Sequence, residues 1–280
     1  MEKIKILVAC HKPGKVYQDD IYTPIHVGRA VSRFKEEMAG MIGDDTGDNI
    51  SEKNPMYCEL TAQYWAWKNL HDVDYVGFCH YRRFFDIRIT SEKVDRLLRN
   101  HDVIALKKCF PYPVRMDFLS YITLDEFTIL LMVIKKKYPD YEQTIIDYFR
   151  GNFLYPLNML ICRKELFDQY AEWLFDILSE CEKHMKPMPY TRARRTLAYM
   201  GEYLMAAYMI HHHLKVHFVD VNDEPGVPKR RTFRHKCAVP LMKMVNKVYT
   251  RKFSSWEKTL EDWYDPAVMV GFKSDCISVQ

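Results

Sequence analysis

The chain opens on an apolar run, Ile4 to Ala9, that stops at His11-Lys-Pro-Gly14, a pattern that predicts a buried first strand followed by a loop. A second short strand is expected ahead of Gly43-Asp-Asp-Thr-Gly-Asp-Asn49, a loop rich in turn formers. From Asn54-Pro55 the periodicity changes. Leu60, Tyr64, Trp67 and Leu70 recur at helical spacing and predict a helix ending near His71. Asp74 to His80 then reads as a strand running straight into Tyr81-Arg-Arg-Phe-Phe85. Further on the pattern predicts a helix over Ser91 to Arg99 with Ser91 as N-cap, a strand over Asp102 to Leu106, and a loop over Phe110 to Val114. Helices follow over Leu124 to Tyr138 and Tyr141 to Phe149, a strand over Leu157 to Cys162, and an amphipathic helix over Lys164 to Lys183. A helix from about Gly201 to His211 and a strand over Val216 to Val221 complete the pattern. Strands alternating with helices imply an α/β fold around a sheet with parallel strands.

Composition narrows this without changing it. With 280 residues, 48% hydrophobic and 28% charged, the chain has the make-up of a folded globule and excludes disordered and collagen-like classes. The longest apolar run, Phe127 to Ile134, is too short to cross a bilayer, and the start of the chain lacks a signal-peptide pattern, so a cytoplasmic location is expected. Eight cysteines without a CxxC pair read as reduced, buried thiols. A net charge of +4 is too small to imply nucleic-acid binding. Pro225-Gly-Val-Pro228 marks the expected domain edge, giving residues 1–224 as the main domain and 225–280 as a basic helical segment.

Four strings carry a resemblance: DDTGDNIS from Asp44, NPMYCELTAQYWAWKN from Asn54, DYVGFCHYRRFF from Asp74 and NMLICRKELFDQYAEWLFDIL from Asn158. In these the chain resembles, from about Ile6 to Val221, a bacterial family first catalogued as a domain of unknown function. Its members lie in capsular and exopolysaccharide gene clusters and are treated as glycosyltransferases. The resemblance implies a GT-A-like, Rossmann-type mixed sheet flanked by helices. It also implies transfer of a sugar from a nucleotide-sugar donor, a UDP-hexose such as galactose in pyranose or furanose form, to a lipid-linked glycan, with inversion favoured.

The residues suggest how. GT-A enzymes commonly hold the base with an Asp in the loop after the second strand, a place filled here by Asp44 or Asp45, with Asp48 and Asn49 beside them; the same residues also suit a loop that merely turns and caps. Where such enzymes carry an Asp-x-Asp metal motif, this chain has Cys79-His80-Tyr81-Arg82-Arg83. Two guanidiniums can neutralise a diphosphate without a metal. The alternative is Mn²⁺ or Mg²⁺ held by His80, with Asp86 or the Asp loop completing the shell through oxygen. His11 ends the first strand. Tyr57 and Glu59 are candidates for the donor sugar pocket, and Trp65 and Asn158 for the acceptor, since aromatic faces and carboxylates suit sugars; the Trp residues equally suit the core. For the catalytic base the class implies Glu202, in Gly201-Glu202 at the start of a helix whose dipole favours a carboxylate, with Arg195 reaching phosphate and Arg192 or Arg194 as substitutes. His211 to His213 are expected to form a solvated helix end.

Residues Lys229 to Lys252 contain nine Lys or Arg and no acid. With Leu241, Val245 and Val248 on one side of a helix, this segment reads as docking on an anionic membrane surface, and a plain solvated helix or RNA binding are the competing readings. A catalytically inactive module that binds sugar nucleotides or glycans is the alternative to the enzyme.

Overall fold

The structure is a computed structural model that describes residues 3–226, 240–242, 244–248, 258–266, 268 and 277. The chain forms two compact units, each assembled from three segments: residues 1–107, 155–173 and 213–230 in the first, and 108–154, 174–212 and 231–280 in the second. The expected main domain, residues 1–224, is divided between the two units, and one of their boundaries falls after residue 230.

The first unit is built on a seven-stranded sheet. Its strands are β1 (Ile4–Cys10), β2 (Tyr22–His26), β3 (Ile42–Gly43), β4 (Tyr75–His80), β6 (Val103–Leu106), β9 (Leu160–Arg163) and β10 (Val216–Val219), in the order β10-β6-β9-β4-β1-β2-β3. β1 runs parallel to β2 and β4, β2 to β3, and β10 to β6, while β9 is antiparallel to both its neighbours, so the sheet is mixed. Strands covered on both faces must be apolar throughout. In keeping with this, Ile6, Val8, Tyr75, Val76, Ile104 and Ile161 are buried almost completely. β5 (Phe84–Phe85), too short to predict, pairs with β11 (Val221–Asn222).

The helix expected over Asn54 to Asn69 is two helices, α1 (Asn54–Tyr57) and α2 (Leu60–Asn69), broken at Cys58, whose φ of 47 and ψ of −125 are not helical. α3 (Ser91–Leu98) is capped by the Thr90 side chain, one residue before the expected Ser91. The predicted strand at Leu157 starts only at Leu160, because residues 156–158 form a 3-10 turn in which Leu157 and Asn158 have positive φ. α7 (Lys164–His184) begins in this unit, where the Phe167 ring packs tilted against Phe78 of β4 at 4.9 Å.

The second unit is helical, with β7 (Lys108–Cys109) and β8 (Phe153–Leu154) paired beside α4 (Val114–Phe118), α5 (Leu124–Lys137), α6 (Glu142–Arg150), the later part of α7, α8 (Thr191–Arg194) and α9 (Thr196–His211). Thr123 and Glu126 form a capping box at the head of α5. Phe118 is its aromatic centre, 4.2 Å from Tyr203, 5.5 Å from Phe149 and 5.7 Å from Phe127. Trp263 joins this cluster against Phe127 and Phe149, and Leu260 is wholly buried. Leu260 and Trp263 therefore belong to the core of this unit. Most of the basic stretch, including Lys229 to Lys236, Lys243, Arg251 and Lys252, lies outside the described residues.

Candidate functional site

In a sheet of this kind ligands collect beyond the carboxyl ends of the parallel strands. The ladder sets those ends level: Cys10 pairs with His26 and Ala9 with His80. His11, the Val27-Gly28-Arg29 loop and the Tyr81-Arg82-Arg83 turn thus emerge from one edge.

The Arg turn is tight. His80 and Arg83 exchange backbone hydrogen bonds at 3.2 and 3.0 Å, leaving Tyr81 and Arg82 at the corner. Tyr81 meets the His11 ring edge to face at 5.4 Å, and the Arg82 guanidinium lies 5.1 Å from the Tyr81 ring. Both Arg82 and Arg83 are exposed. The positions that sequence placed together, His11, His80, Tyr81, Arg82 and Arg83, are together in space.

The Asp loop divides its labour. Asp44 is fully buried, and its carboxylate accepts from the Gly28 and Arg29 amides at 2.7 and 3.0 Å, from Ser51 Oγ at 2.5 Å and from Thr61 Oγ1 at 2.6 Å. Four donors saturate it, so Asp44 fastens the β2 loop to α2. Gly28 has a φ of +66, and a Cβ there would sit 2.6 Å from the Asn54 side chain, which is why glycine occupies it. Asp45 is partly exposed and pairs with the Arg29 guanidinium at 3.2 Å. Asp48 accepts from Tyr64 Oη at 3.2 Å, and Asn49 spends its side chain on Gly47 O and Ser51 N. Trp65 and Tyr57 are buried, and the Trp65 indole N–H donates to Thr46 Oγ1 at 2.8 Å. As an acceptor platform Trp65 must be corrected: its ring is core and its one donor is used inside the loop.

Glu59 and Asn158, far apart in sequence, meet. The Asn158 amide donates to Glu59 Oε1 at 2.8 Å, the Gln63 amide donates to Asn158 O at 2.9 Å, and His80 Nε2 lies 2.8 Å from Leu157 O. Counting three residues past Gly77 and three before Ile161, which are partners in the β4–β9 ladder, sets His80 opposite Asn158. Leu157 at φ 73, Asn158 at φ 52 and Cys58 at φ 47 surround this cluster. Such conformations cost of order 1–3 kcal/mol each outside glycine and gather at functional sites.

The expected metal ligands, His80 and Asp86, are each engaged with backbone, Asp86 Oδ1 accepting from the Asp220 amide at 2.9 Å. Among the described residues no three His, Cys, Asp or Glu side chains are grouped to hold a metal ion.

In the second unit, α9 begins at Thr196, so Gly201 and Glu202 lie in its interior. Glu202 therefore does not sit at a helix terminus, as expected from Gly201, because that glycine is a buried interior residue of the helix. Burial, then the Asp117 carboxylate and to a lesser degree Glu202, disfavour ionisation of Tyr121 and Tyr203, and Tyr203 Oη donates to Asp117 at 2.6 Å. Arg195 is exposed at the cap of α9, Arg192 donates to Ser120 O at 3.2 Å, and Arg194 donates to Met188 O and Pro189 O. The histidine run is more structural than expected: His211 stacks on Tyr141 at 3.6 Å, and His212 Nε2 lies 2.8 Å from Tyr141 Oη.

Sequence reasoning missed His26 and Arg29. His26 is wholly buried with neither ring nitrogen hydrogen-bonded, and burial holds its pKa below the ordinary value. The signal was present in His26-Val-Gly-Arg29, a strand end followed by glycine and a cation.

Residues 5–213 match a family model described as Domain of unknown function (DUF4422). The apo structure of the bifunctional glycosyltransferase WbbM superposes with a TM-score of 0.70 at 30% identity, over 81% of this chain and 46% of that one. The chain thus spans about half the length of that structure. No curated protein sequence matches it. The fold is of the mixed α/β, GT-A-like kind.

Proposed function

The chain belongs to the DUF4422 family, and from that membership and the geometry of its sheet edge we propose that it is a glycosyltransferase of polysaccharide synthesis, moving a hexose from a UDP donor to a lipid-linked glycan with inversion. One observation carries the reading: two exposed guanidiniums stand on a rigid turn at the carboxyl end of β4, level with the ends of β1 and β2. GT-A enzymes put the groups that hold a diphosphate at this place. Arg matches phosphate oxygens in a fixed fork and keeps its charge at any working pH. Arg82 and Arg83 neutralise the departing UDP, and His11 and Tyr81 wall the same spot. Asp45, partly exposed beside Arg29, is the loop carboxylate suited to the base, since Asp44 is saturated. The likeness to WbbM supports transfer of a sugar, and the donor identity is this reading's own.

A membrane-facing role for the C-terminal segment is part of the proposal. Leu241, Met244, Val245 and Val248 are exposed on the helical residues 240–242 and 244–248, within the basic stretch of the sequence. Apolar side chains among cations suit the headgroup region of an anionic bilayer, and a lipid-linked acceptor would be presented there. Such a protein works on the cytoplasmic face of the membrane.

The test is UDP binding and transfer by the double variant Arg82→Ala, Arg83→Ala. Each charge-assisted contact is worth roughly 1.5–3 kcal/mol, so UDP affinity drops by more than tenfold and transfer is lost. A folded double variant with normal transfer refutes the assignment. Slow release of UDP from the donor by the wild-type chain separates an enzyme from a module that only binds.

A further inference from the structure

We infer that Glu59 is the group that takes the acceptor's proton, and that Asn158 is the residue that positions it; the inference rests on the sugar-transfer reading above. If the Arg turn holds the diphosphate, the anomeric carbon lies beside it, and the base must stand within about a sugar ring of that turn, within hydrogen-bond reach of the acceptor hydroxyl. Glu59 meets the condition through two hydrogen bonds: its Oε1 receives the Asn158 amide at 2.8 Å, and the preceding Leu157 carbonyl lies 2.8 Å from Nε2 of His80, the residue that begins the turn.

The other carboxylates at this edge have different tasks. Asp44 is buried and saturated, Asp45 pairs with Arg29, Asp48 takes the Tyr64 hydroxyl, and Asp86 takes the Asp220 amide. Glu59 is half-buried, with one oxygen fixed by an amide. The fixing amide is itself held, because the Gln63 amide, one helical turn beyond Glu59, donates to Asn158 O at 2.9 Å. Gln63 is 99% buried, being 1% exposed, and its Oε1 accepts no hydrogen bond from the protein, which leaves an acceptor beside the cluster suited to a sugar hydroxyl. The left-handed backbone at Leu157 and Asn158 and the broken helix at Cys58 place the two partners, at a cost in local conformation.

In the step, the acceptor hydroxyl oxygen bonds to the anomeric carbon while its proton passes to Glu59 Oε2. The bond from that carbon to the diphosphate oxygen breaks, its electron pair leaves on UDP, and Arg82 and Arg83 balance the charge. Glu59 then returns the proton to water.

The experiment follows UDP release by the full-length chain from UDP-glucose, UDP-N-acetylglucosamine and UDP-galactose in both ring forms, with octyl β-galactoside as acceptor. Glu59→Gln keeps shape and hydrogen bonding, so kcat falls roughly 10²- to 10⁴-fold while UDP affinity stays within about twofold. Glu59→Ala regains part of its turnover with added formate, a response that a structural glutamate does not give. Asn158→Gly, which tolerates the left-handed backbone, lowers kcat and leaves KM near wild type. Normal turnover by Glu59→Gln, loss of UDP affinity along with turnover, or a large kcat defect in Glu202→Gln instead would each overturn the assignment. A wild-type chain that releases UDP from none of these donors refutes the transferase reading itself, a separate failure.

Discussion

Asp44→Ala tests how the donor loop is held. The substitution strands the amides of Gly28 and Arg29, which lie 2.7 and 3.0 Å from the carboxylate, in a region closed to water. A buried donor left without a partner costs about 1–3 kcal/mol. The hydroxyls suffer less: Thr61 Oγ1 also reaches Cys58 O at 3.0 Å, and Ser51 Oγ still accepts from the Ala30 amide at 3.0 Å. The sum is about 3–5 kcal/mol, since the two amides dominate. For a chain of this size 1 kcal/mol moves the melting point by about 2–4 °C, so a fall of roughly 10 °C is expected. Asp44→Asn keeps one acceptor oxygen and turns an amide toward the Arg29 N–H, so it falls between wild type and Asp44→Ala.

Asp45→Asn is the matched control. It loses one partly exposed pair with Arg29, worth about 0–1 kcal/mol, and melts near wild type. Melting and UDP affinity measured on all three variants separate the two aspartates: stability follows position 44 and base binding follows position 45. An Asp44→Ala protein that melts within a degree or two of wild type would refute the reasoning, because its four donors would then have found other partners.

Trp263→Ala should cost about 3–5 kcal/mol, read as a lower urea midpoint, since the ring is buried against Phe127 and Phe149. Burial depresses the His26 pKa, so above the unfolded value of about 6.5 the group contributes no pH dependence, and stability falls as the pH drops below it because the unfolded chain alone takes up the proton; His26→Asn should flatten that acid limb, and an unchanged slope contradicts it. Because Leu260 and Trp263 are core, membrane docking is better tested by replacing Leu241 and Val248 with Ser in the full chain than by truncation: sedimentation with anionic vesicles should weaken while melting holds. Equal sedimentation by both proteins removes the membrane reading.

Much of the fold was legible because buried strands and amphipathic helices write their own periodicity. Ile4 to Ala9 and Asp74 to His80 lie where β1 and β4 lie, and Leu124 to Tyr138 and Lys164 to Lys183 where α5 and α7 do. Elements set by a partner were not: β5, β7, β8 and β11 are two residues each and exist because another strand supplies their hydrogen bonds. The expected start near Gly201 lies inside α9, because glycine, a poor helix former, does not end a helix that the packing of Leu197, Met200 and Leu204 carries through it. The Arg turn could be read at once, since its chemistry lies in one contiguous string. Asp44 and Asp45 could not be told apart, since only the fold decides which is enclosed.

The pairing of Glu59 with Asn158 was the least legible feature, and for a physical reason. A helical pattern through Asn54 to Asn69 makes Glu59 an interior surface position, and an apolar pattern through Leu157 to Cys162 makes Asn158 a strand residue. Both local preferences lose. Cys58 leaves the helix and Leu157 and Asn158 turn left-handed, and these departures are what bring carboxylate and amide within 2.8 Å. Of the four non-glycine residues with positive φ among those described, three lie here, the fourth being His213 in the turn after α9. These three gather at one polar cluster beside the Arg82-Arg83 turn, which concentrates conformational cost where substrate chemistry requires fixed geometry. That conflict, rather than any motif, separates Glu59 from the other carboxylates of the sheet edge.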